Sequence, residues 1–471
     1  MNNLKLAWRN LWRNRRRTLI TSASIFFAVF FALIMRSVQL GTYDHMYKNV
    51  IESYTGYIQV QHKDFWDEKI VDNTFPEEAG MNKLLLDDKN VAATIPRLES
   101  FALASNGHQS KGVVVMGMDP EKEKHLSKVN DKRVKYRLSP AAINMINGEE
   151  SVPEKVKEML ALVENKSYSS SSRLQLDLDL EDKEASEVLP LIEKYSKFEN
   201  GSIHMGEPGV WVGDKLSQYL ELGIGDTIVL ISQGYHGSTA AGKYEIKGIV
   251  KLPLPDLDNK IVYLPLDICQ ELFNAENMIT SLSLALLNTD DKSVNTTMER
   301  LSTIIPGEQK LMEWREMNEL MVSQMDADDK GGQIMLGILY LVIAFGVFGT
   351  VLMLTAERKR EFGVLVAIGM QKKKLASVMT MEMILIGLLG IMAGAFVASS
   401  LILYGVNHPI VFKGEAALMF EDMGFEPQLA FWPIDNYYIS QILIVVFMVL
   451  LAIIYPTRKI FGMKVVNALR A

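Results

Sequence analysis

The chain has 471 residues, 48% of them hydrophobic, yet its mean hydropathy is only +0.09 and its formal charge is −7. These values exclude a disordered polyanion and a protein that is apolar throughout, so the apolar residues must be gathered into segments. Its one cysteine, Cys269, excludes an intrachain disulfide and a cysteine-built metal cluster, and leaves any exported domain dependent on its apolar core.

Residues 1–18 carry six basic side chains, Lys5, Arg9, Arg13, Arg15, Arg16 and Arg17, and no acid. Leu4, Trp8, Leu11 and Trp12 recur on one helical face, which predicts a cytoplasmic amphipathic helix lying in the headgroup layer. A plain basic stop before a membrane helix gives the same topology. Residues 19–40 form an apolar run with a single charge, Arg36, and ~20 residues suffice to cross ~30 Å of hydrocarbon. Its length and phenylalanine content predict a retained first membrane span rather than a cleaved signal peptide.

Residues 41–333, about 290 in number, are too many for a loop and predict an exported α+β domain. Strands are expected at 54–60, 112–117, 223–232, 244–250, 261–264 and 282–287, punctuated by Gly-Asp and Pro. An inserted subdomain, about 139–198, contains expected helices at Val156–Val163 and Leu189–Tyr195, separated by a flexible serine-rich linker at 167–172. Between them the run Leu174–Leu180 alternates as a strand does, which places Asp177 and Asp179 together on a solvated face. The stretch Leu311–Asp329 reads as an acidic helical stalk entering the next span.

Three further spans are expected at 334–355, 378–404 and 439–455. Alternation places 356–377 and the tail 456–471 in the cytoplasm and 405–438 outside. The charges agree: 356–374 carries +4, and so does the tail, while 405–438 sets Lys413 against Glu415, Glu421, Asp422, Glu426 and Asp435. The three basic cytoplasmic segments total +14 and leave −21 for the remainder. The fold class is therefore an integral membrane α-helical protein with four transmembrane helices and a large exported α+β domain. Gly390, Gly394 and Ala398 have the spacing that lets membrane helices approach closely, Gly337, Gly346 and Gly349 mark the second span, and Glu382 is expected in the first turn of the third, reaching for the cytoplasmic interface.

Catalytic patterns are absent. The nearest approach to a phosphate loop, Gly237 to Tyr244, has tyrosine where a magnesium-binding hydroxyl belongs, precedes a strand and lies outside, so it reads as a glycine-rich hairpin tip. The seven histidines show no metal-ligand spacing, and no nucleophile elbow occurs. The sequence predicts a non-catalytic protein with no metal site, no cofactor of its own and no nucleic-acid partner.

The most informative segment is Glu357–Glu382, ERKREFGVLVAIGMQKKKLASVMTME. Charges follow the second span, turns are expected at Gly363 and Gly369, and the apolar stretch Val364–Met370 between basic flanks suits a groove on a soluble partner. Glu357, Arg358, Glu361, Gly363, Leu365, Ala367 and Gly369 match the E-R-x-x-E-x-G-x-L-x-A-x-G pattern, and the segment resembles that of FtsX-like, MacB-type ABC permeases; Val366 departs from the basic residue usual there. LAWRNLWRNRRRTLIT and YPTRKIFGMKVVNALRA resemble the family's two chain ends. VVVMGMDPE, GVWVGDKLSQYLELGIGDTIVLIS and KLMEWREMNELMVSQMDADDKGG resemble stretches of the lipoprotein-releasing permeases LolC and LolE; residues 139–198 resemble nothing named.

The resemblance implies a MacB-like periplasmic core with a second subdomain, in a protein of the bacterial inner membrane. It implies that Glu357, Arg358, Arg360, Glu361, Gly363, Val364, Leu365, Ala367 and Gly369 belong to a coupling helix docked on a separate ABC ATPase dimer, which binds the ATP and magnesium. A second permease subunit, identical or homologous, completes the assembly among the membrane lipids. The implied task is release of a lipoprotein or export of another amphiphile; the alternative is an FtsX-like signal transmitter that moves no substrate and activates an exported cell-wall hydrolase.

Overall fold

The computed structural model of the protein describes residues 3–13, 15–305, 307–422 and 427–463. The serial acids Asp422 and Glu426 are thus split, Glu426 lying outside the described residues, as does the tail beyond Met463. The chain forms two compact units, one of Met1–His45, Ser323–Ile410 and Leu429–Ala471, the other of Met46–Val322 and Val411–Gln428.

The first unit holds four helices long and apolar enough to cross a membrane. Helix α1 (Asn3–Arg13) precedes α2 (Arg15–Val50). The single apolar face expected for α1 is divided. Ala7 and Leu11 are buried, Leu11 within the core of the membrane helices, while Trp8 and Trp12 stay exposed with their rings 6.1 Å apart edge to face. Residues four apart share a face, and the two pairs lie one position out of phase, so one turns to protein and the other to the surroundings. Helix α2 does not stop at residue 40. It passes through Gly41, where a Cβ would lie 2.4 Å from the carbonyl oxygen of Ala430, so this glycine serves a close approach rather than a helix end. Arg36, the one charge in the run, pairs with Asp329, which removes the cost of an isolated charge there.

The second unit is built on nine strands, β1 (Ile58–His62), β2 (Val91–Ser105), β3 (Ser110–Met118), β4 (Gly209–Gly213), β5 (Thr227–Gln233), β6 (Thr239–Val250), β7 (Ile261–Pro265), β8 (Ser281–Leu286) and β9 (Gln309–Glu313). Their order is β9-β1-β8-β2-β3-β7-β4-β6-β5, and a further antiparallel pairing of β5 with β2, Leu103 opposite Ile231, closes six of them into a ring. Strand β2 makes the closure possible. Its 15 residues are long enough for the first half to pair with β8 and the end with β5. Inside, Leu98, Ala104, Val113, Val115, Val212, Ile228, Leu230 and Ile246 are buried together. Within β2, Arg97 is also buried, held by Glu123 and the Tyr54 carbonyl, with Ser127 donating to the same carboxylate. A buried ion pair is tolerated where its remaining hydrogen-bonding capacity is filled in this way.

Strand β2 was not expected from the sequence because it carries Pro96 and Arg97 and is buried on both faces for six successive residues, Ile95 to Ser100, so it lacks alternation. The segment Gly237 to Tyr244 is the β5–β6 hairpin tip followed by strand. Tight backbone approaches also shape the unit. A Cβ on Gly213 would lie 1.9 Å from the Asp258 carbonyl oxygen, and one on Gly117 would lie 2.4 Å from the Cβ of Cys269 in the helix Leu266–Leu272. Burial pushes the Cys269 thiol well above its ordinary range. It also pushes the Asp258 carboxyl up to about 6, against three backbone N–H groups, from Asp214, Lys215 and Leu252, that favour its charged form.

The inserted region forms α3 (Pro140–Asn147), α4 (Glu154–Leu162), α5 (Ser171–Asp177) and α6 (Asp182–Ser196) around an apolar cluster of its own, and the helix of Cys269 follows it in the chain as α7 (Leu266–Leu272). Two expectations fail here. The serine-rich stretch is not a flexible linker: Ser167 and Tyr168 are buried in a two-residue strand, and Ser170 caps α5 by accepting from the Arg173 N–H. The run Leu174–Leu180 is not a strand, since Leu174 and Leu178 are buried at helical spacing. Asp177 is consequently buried beside Arg173, while Asp179 adopts φ +50 and meets Lys155 at 2.7 Å.

The expected stalk is also divided. Leu311 and Met312 belong to β9, paired with Val60 and Gln59 of β1, and the continuous helix α8 starts only at Glu319 and runs 39 residues to Glu357. After α9 (Lys359–Ala367) come α10 (Lys372–Asn407) and α11 (Asn436–Phe461). Helix α11 continues through Pro456, placed in the tail by the sequence, because that proline is buried and the helix can pass it with one missing bond.

Replacing Gly213 with alanine forces a methyl into the Asp258 carbonyl. A loss of about 3 kcal/mol is expected, the upper end of the overpacking range. Hydrogen exchange of the full chain in detergent should show β4 and β6 losing protection while α8 to α11 keep theirs; unchanged protection at β4 would contradict the close approach.

Candidate coupling site

The end of α8, the short helix α9 and the start of α10 form one packed unit. Glu357 closes α8, and Arg358 leaves helical continuity at φ −88, ψ 2 to become the first residue before α9. The turn out of α9 is a Schellman closure: the Gly369 N–H donates to Val366 at 3.1 Å and the Met370 N–H to Leu365 at 3.0 Å. Gly369 has φ +101, the conformation that closure requires and glycine supplies at least cost. Gly363, expected at a turn, instead lies buried inside α9.

Arg358 is turned into the protein. Its Nη1 donates to both carboxylate oxygens of Glu382, at 2.9 and 2.7 Å, and the two side chains are only 8% and 7% exposed. Its Nε reaches Glu361 at 3.3 Å, and Glu361 in turn accepts from Arg13 of α1 at 3.1 Å. The guanidinium also stands over the Phe362 ring at 5.3 Å. Glu382 is therefore not in a first turn reaching for the interface. Helix α10 begins at Lys372, which places Glu382 three turns inside it, level with the inward-turned Arg358. The inner pair is desolvated, so removing either member leaves the other as an uncompensated buried charge, whereas Arg13–Glu361 is more than half exposed and contributes little.

Phe362 packs with Leu375, Ala376, Met379 and Ile460, which fixes α9 against α10 and α11. Lys372 donates to the carbonyls of Phe461 at 3.2 Å and Met463 at 2.7 Å, capping α11. With that inner face committed, Val364, Leu365 and Ile368 project outward, Ile368 at 78% exposure. Ala367 and Gly369 lie on the same exposed side, flanked by exposed Arg360, Lys373 and Lys374. A cavity of about 730 Å³ opens beside them, lined by Leu6, Asn10 and Arg13 of α1 and by Met379 and Glu382 of α10. Of the residues singled out from the sequence, Arg358 and Gly363 are thus internal, and the others are at the surface of the unit. Phe362, Glu382 as a partner of Arg358, and Lys372 were missed. Counting α10 from Gln371, the residue after the glycine-closed turn, would have brought Glu382 to the level of Arg358.

The small residues of α10 face α2. A Cβ on Gly390 would meet the Ser22 carbonyl oxygen at 2.7 Å, one on Gly394 would meet that of Phe26 at 2.7 Å, and Ala398 is fully buried. Gly337, Gly346 and Gly349 of α8 differ: they are exposed, and an added Cβ meets nothing within 4 Å. They face out of the bundle and do not serve packing within the described chain. Among the described residues no group of acids, histidines and cysteine could hold a metal ion.

Residues 334–465 match the family model described as FtsX-like permease C-terminal. No curated protein matches the sequence significantly. Among solved structures, the periplasmic region of MacB from Actinobacillus actinomycetemcomitans aligns with 9% identity over 58% of this chain and 96% of its own, at a TM-score of 0.30. The extracellular domain of the noncanonic ABC-type transporter YknZ from Gram-positive bacteria aligns with 10% identity over 55% of this chain and 100% of its own, at 0.28.

Removing one member of the inner pair strands the other. Glu382→Ala is expected to lower the stability of the detergent-solubilised chain by about 3–5 kcal/mol, while the double replacement Arg358→Met, Glu382→Leu loses much less. A double-mutant thermal cycle reads the coupling. Additive losses would mean that the two side chains do not act as a pair.

Proposed function

We propose that this chain, an ABC-transporter permease of the FtsX/MacB type set in the inner membrane with a large extracytoplasmic domain, passes force from a separate ATPase to that domain through α9. The observation that carries the reading is the division of labour within α9. One face is tied to α10 and α11 through Phe362 and to Glu382 through Arg358, while Val364, Leu365 and Ile368 are left uncovered at the end of a 39-residue helix. A displacement applied to the uncovered face is transmitted to α8 and α10 because the covered face cannot slip.

In this reading the chain itself is non-catalytic. ATP and magnesium are held by the ATPase dimer, and two permease chains, identical or homologous, stand over it. Glu357, Arg360, Glu361, Val364, Leu365, Ala367 and Gly369 form the docking surface; Arg358 and Gly363 act from inside, as strut and spacer. Among possible cargoes we favour a lipoprotein or similar amphiphile, supported by the size of the extracytoplasmic domain and its additional helical insertion, both larger than a docking platform for a wall hydrolase needs.

Ile368→Glu places a charge on the uncovered face without touching the covered one. Copurification of the ATPase with the solubilised permease should fall about tenfold or more, with Glu361→Lys weakening it less, and ATPase stimulation should fall in parallel. Normal stimulation by a properly inserted Ile368→Glu chain would sink the docking assignment. The molecule that copurifies with the wild-type assembly, lipoprotein or hydrolase, decides the cargo.

A further inference from the structure

In the membrane unit a cleft of about 630 Å³ opens between the end of α8 and the end of α11. Leu352 and Ala356 of α8 and Tyr455 of α11 line it together with three cations, Lys359, Arg458 and Lys459. No carboxylate lines it among the described residues, and none of the three cations takes part in an ion pair there.

Charge asymmetry across the membrane accounts for basic residues in these segments but not for their convergence on one apolar cleft. Basic residues in the last turn of a helix ordinarily answer its unpaired carbonyls, but Lys372 already caps the end of α11. Lys359 sits in the first turn of α9, where the helix dipole disfavours a positive charge. All three follow their apolar spans within about one turn, Lys359 after Thr355 and Arg458 and Lys459 after Tyr455, so they stand at the level of the lipid phosphates with hydrocarbon-facing walls directly behind them. A ligand that fills this cleft must be anionic at one end and apolar at the other, and must be reachable from within the bilayer.

We propose that the cleft between α8 and α11 is a binding site for an anionic phospholipid of the cytoplasmic leaflet, its phosphate held by Lys359, Arg458 and Lys459 and its acyl chains laid along Leu352, Ala356 and Tyr455. Basic pockets between membrane helices on the cytoplasmic side suit such headgroups. The site rests on the membrane topology given above but not on the ATPase docking surface, since Val364, Leu365 and Ile368 do not line it. It sits where α8 hands over to α9, so an occupied cleft holds the junction between α8 and α11.

The test uses the full chain purified with its ATPase in mild detergent, with native mass spectrometry and thermal unfolding as readouts. Added phosphatidylglycerol should bind saturably and raise the unfolding temperature; phosphatidylethanolamine and inorganic phosphate should do neither. The triple replacement Lys359→Gln, Arg458→Gln, Lys459→Gln should weaken phosphatidylglycerol binding by about a hundredfold. Ala356→Trp, which fills the cleft and leaves every charge in place, should abolish saturable binding. Equal retention of phosphatidylglycerol by the triple variant, an equal response to phosphatidylethanolamine, or the same shift from inorganic phosphate alone would each overturn the proposal. So would loss of the ATPase with lipid binding intact, which would assign the three cations to the protein partner.

Discussion

The membrane unit turns on one desolvated ion pair. Arg358 directly follows a 39-residue helix and reaches three turns into the next long one to hold Glu382, so the connection between them is braced from inside rather than by its exposed loop. An arginine is suited to this because its planar, permanently charged head engages the carboxylate while Nε remains available, here for Glu361. The pair costs desolvation that mutual attraction only partly offsets, so its value is geometrical: it sets which side of α9 is covered. Everything proposed for that helix follows from this orientation. Its apolar residues are uncovered because Phe362 and Arg358 have taken the other side.

The extracytoplasmic unit depends on a different kind of closure. A six-strand ring leaves β2 with partners on both sides over much of its length, and removes two edges that would otherwise be open to pairing with another chain. Without a disulfide, the unit relies on this closure and on glycines that let backbones touch, at Gly213 against Asp258 and Gly117 against Cys269. The helical insertion is fastened to it by polar contacts instead. Asp214 accepts from Arg137 at 2.5 Å and from Ser167 at 2.7 Å, and Lys251 donates to the Ser167 carbonyl at 2.8 Å.

The four spans were legible in the sequence because hydrocarbon imposes a length and a charge asymmetry that survive without knowledge of tertiary contacts. The ends of the helices that carry them were not. Gly41 and Pro456 read as stops, yet neighbouring backbone and burial carry the helices through both. The candidate site could be read from the sequence as a segment and not as a geometry. Val364, Leu365 and Gly369 stood out by type and spacing, but the Arg358–Glu382 contact joins residues 24 apart across a turn whose exact length decides the register. The same limit applied in the extracytoplasmic unit. Local alternation suggested a strand at Leu174–Leu180, and burial of Leu174 and Leu178 against other insertion helices selected the helix. Strand β2 was hidden for the opposite reason, since a strand enclosed on both faces has no pattern of two to display.

Cys269 offers a practical consequence. It is the only thiol in the sequence, it is fully enclosed beside Gly117, and its environment keeps it protonated and unreactive. The native chain is therefore a silent background for maleimide chemistry. A reporter thiol introduced at Ile368 or at the hairpin tip near Gly237 can be modified alone, without first stripping out an endogenous one, so the compartment faced by each surface and its movement during turnover are open to direct spectroscopic measurement.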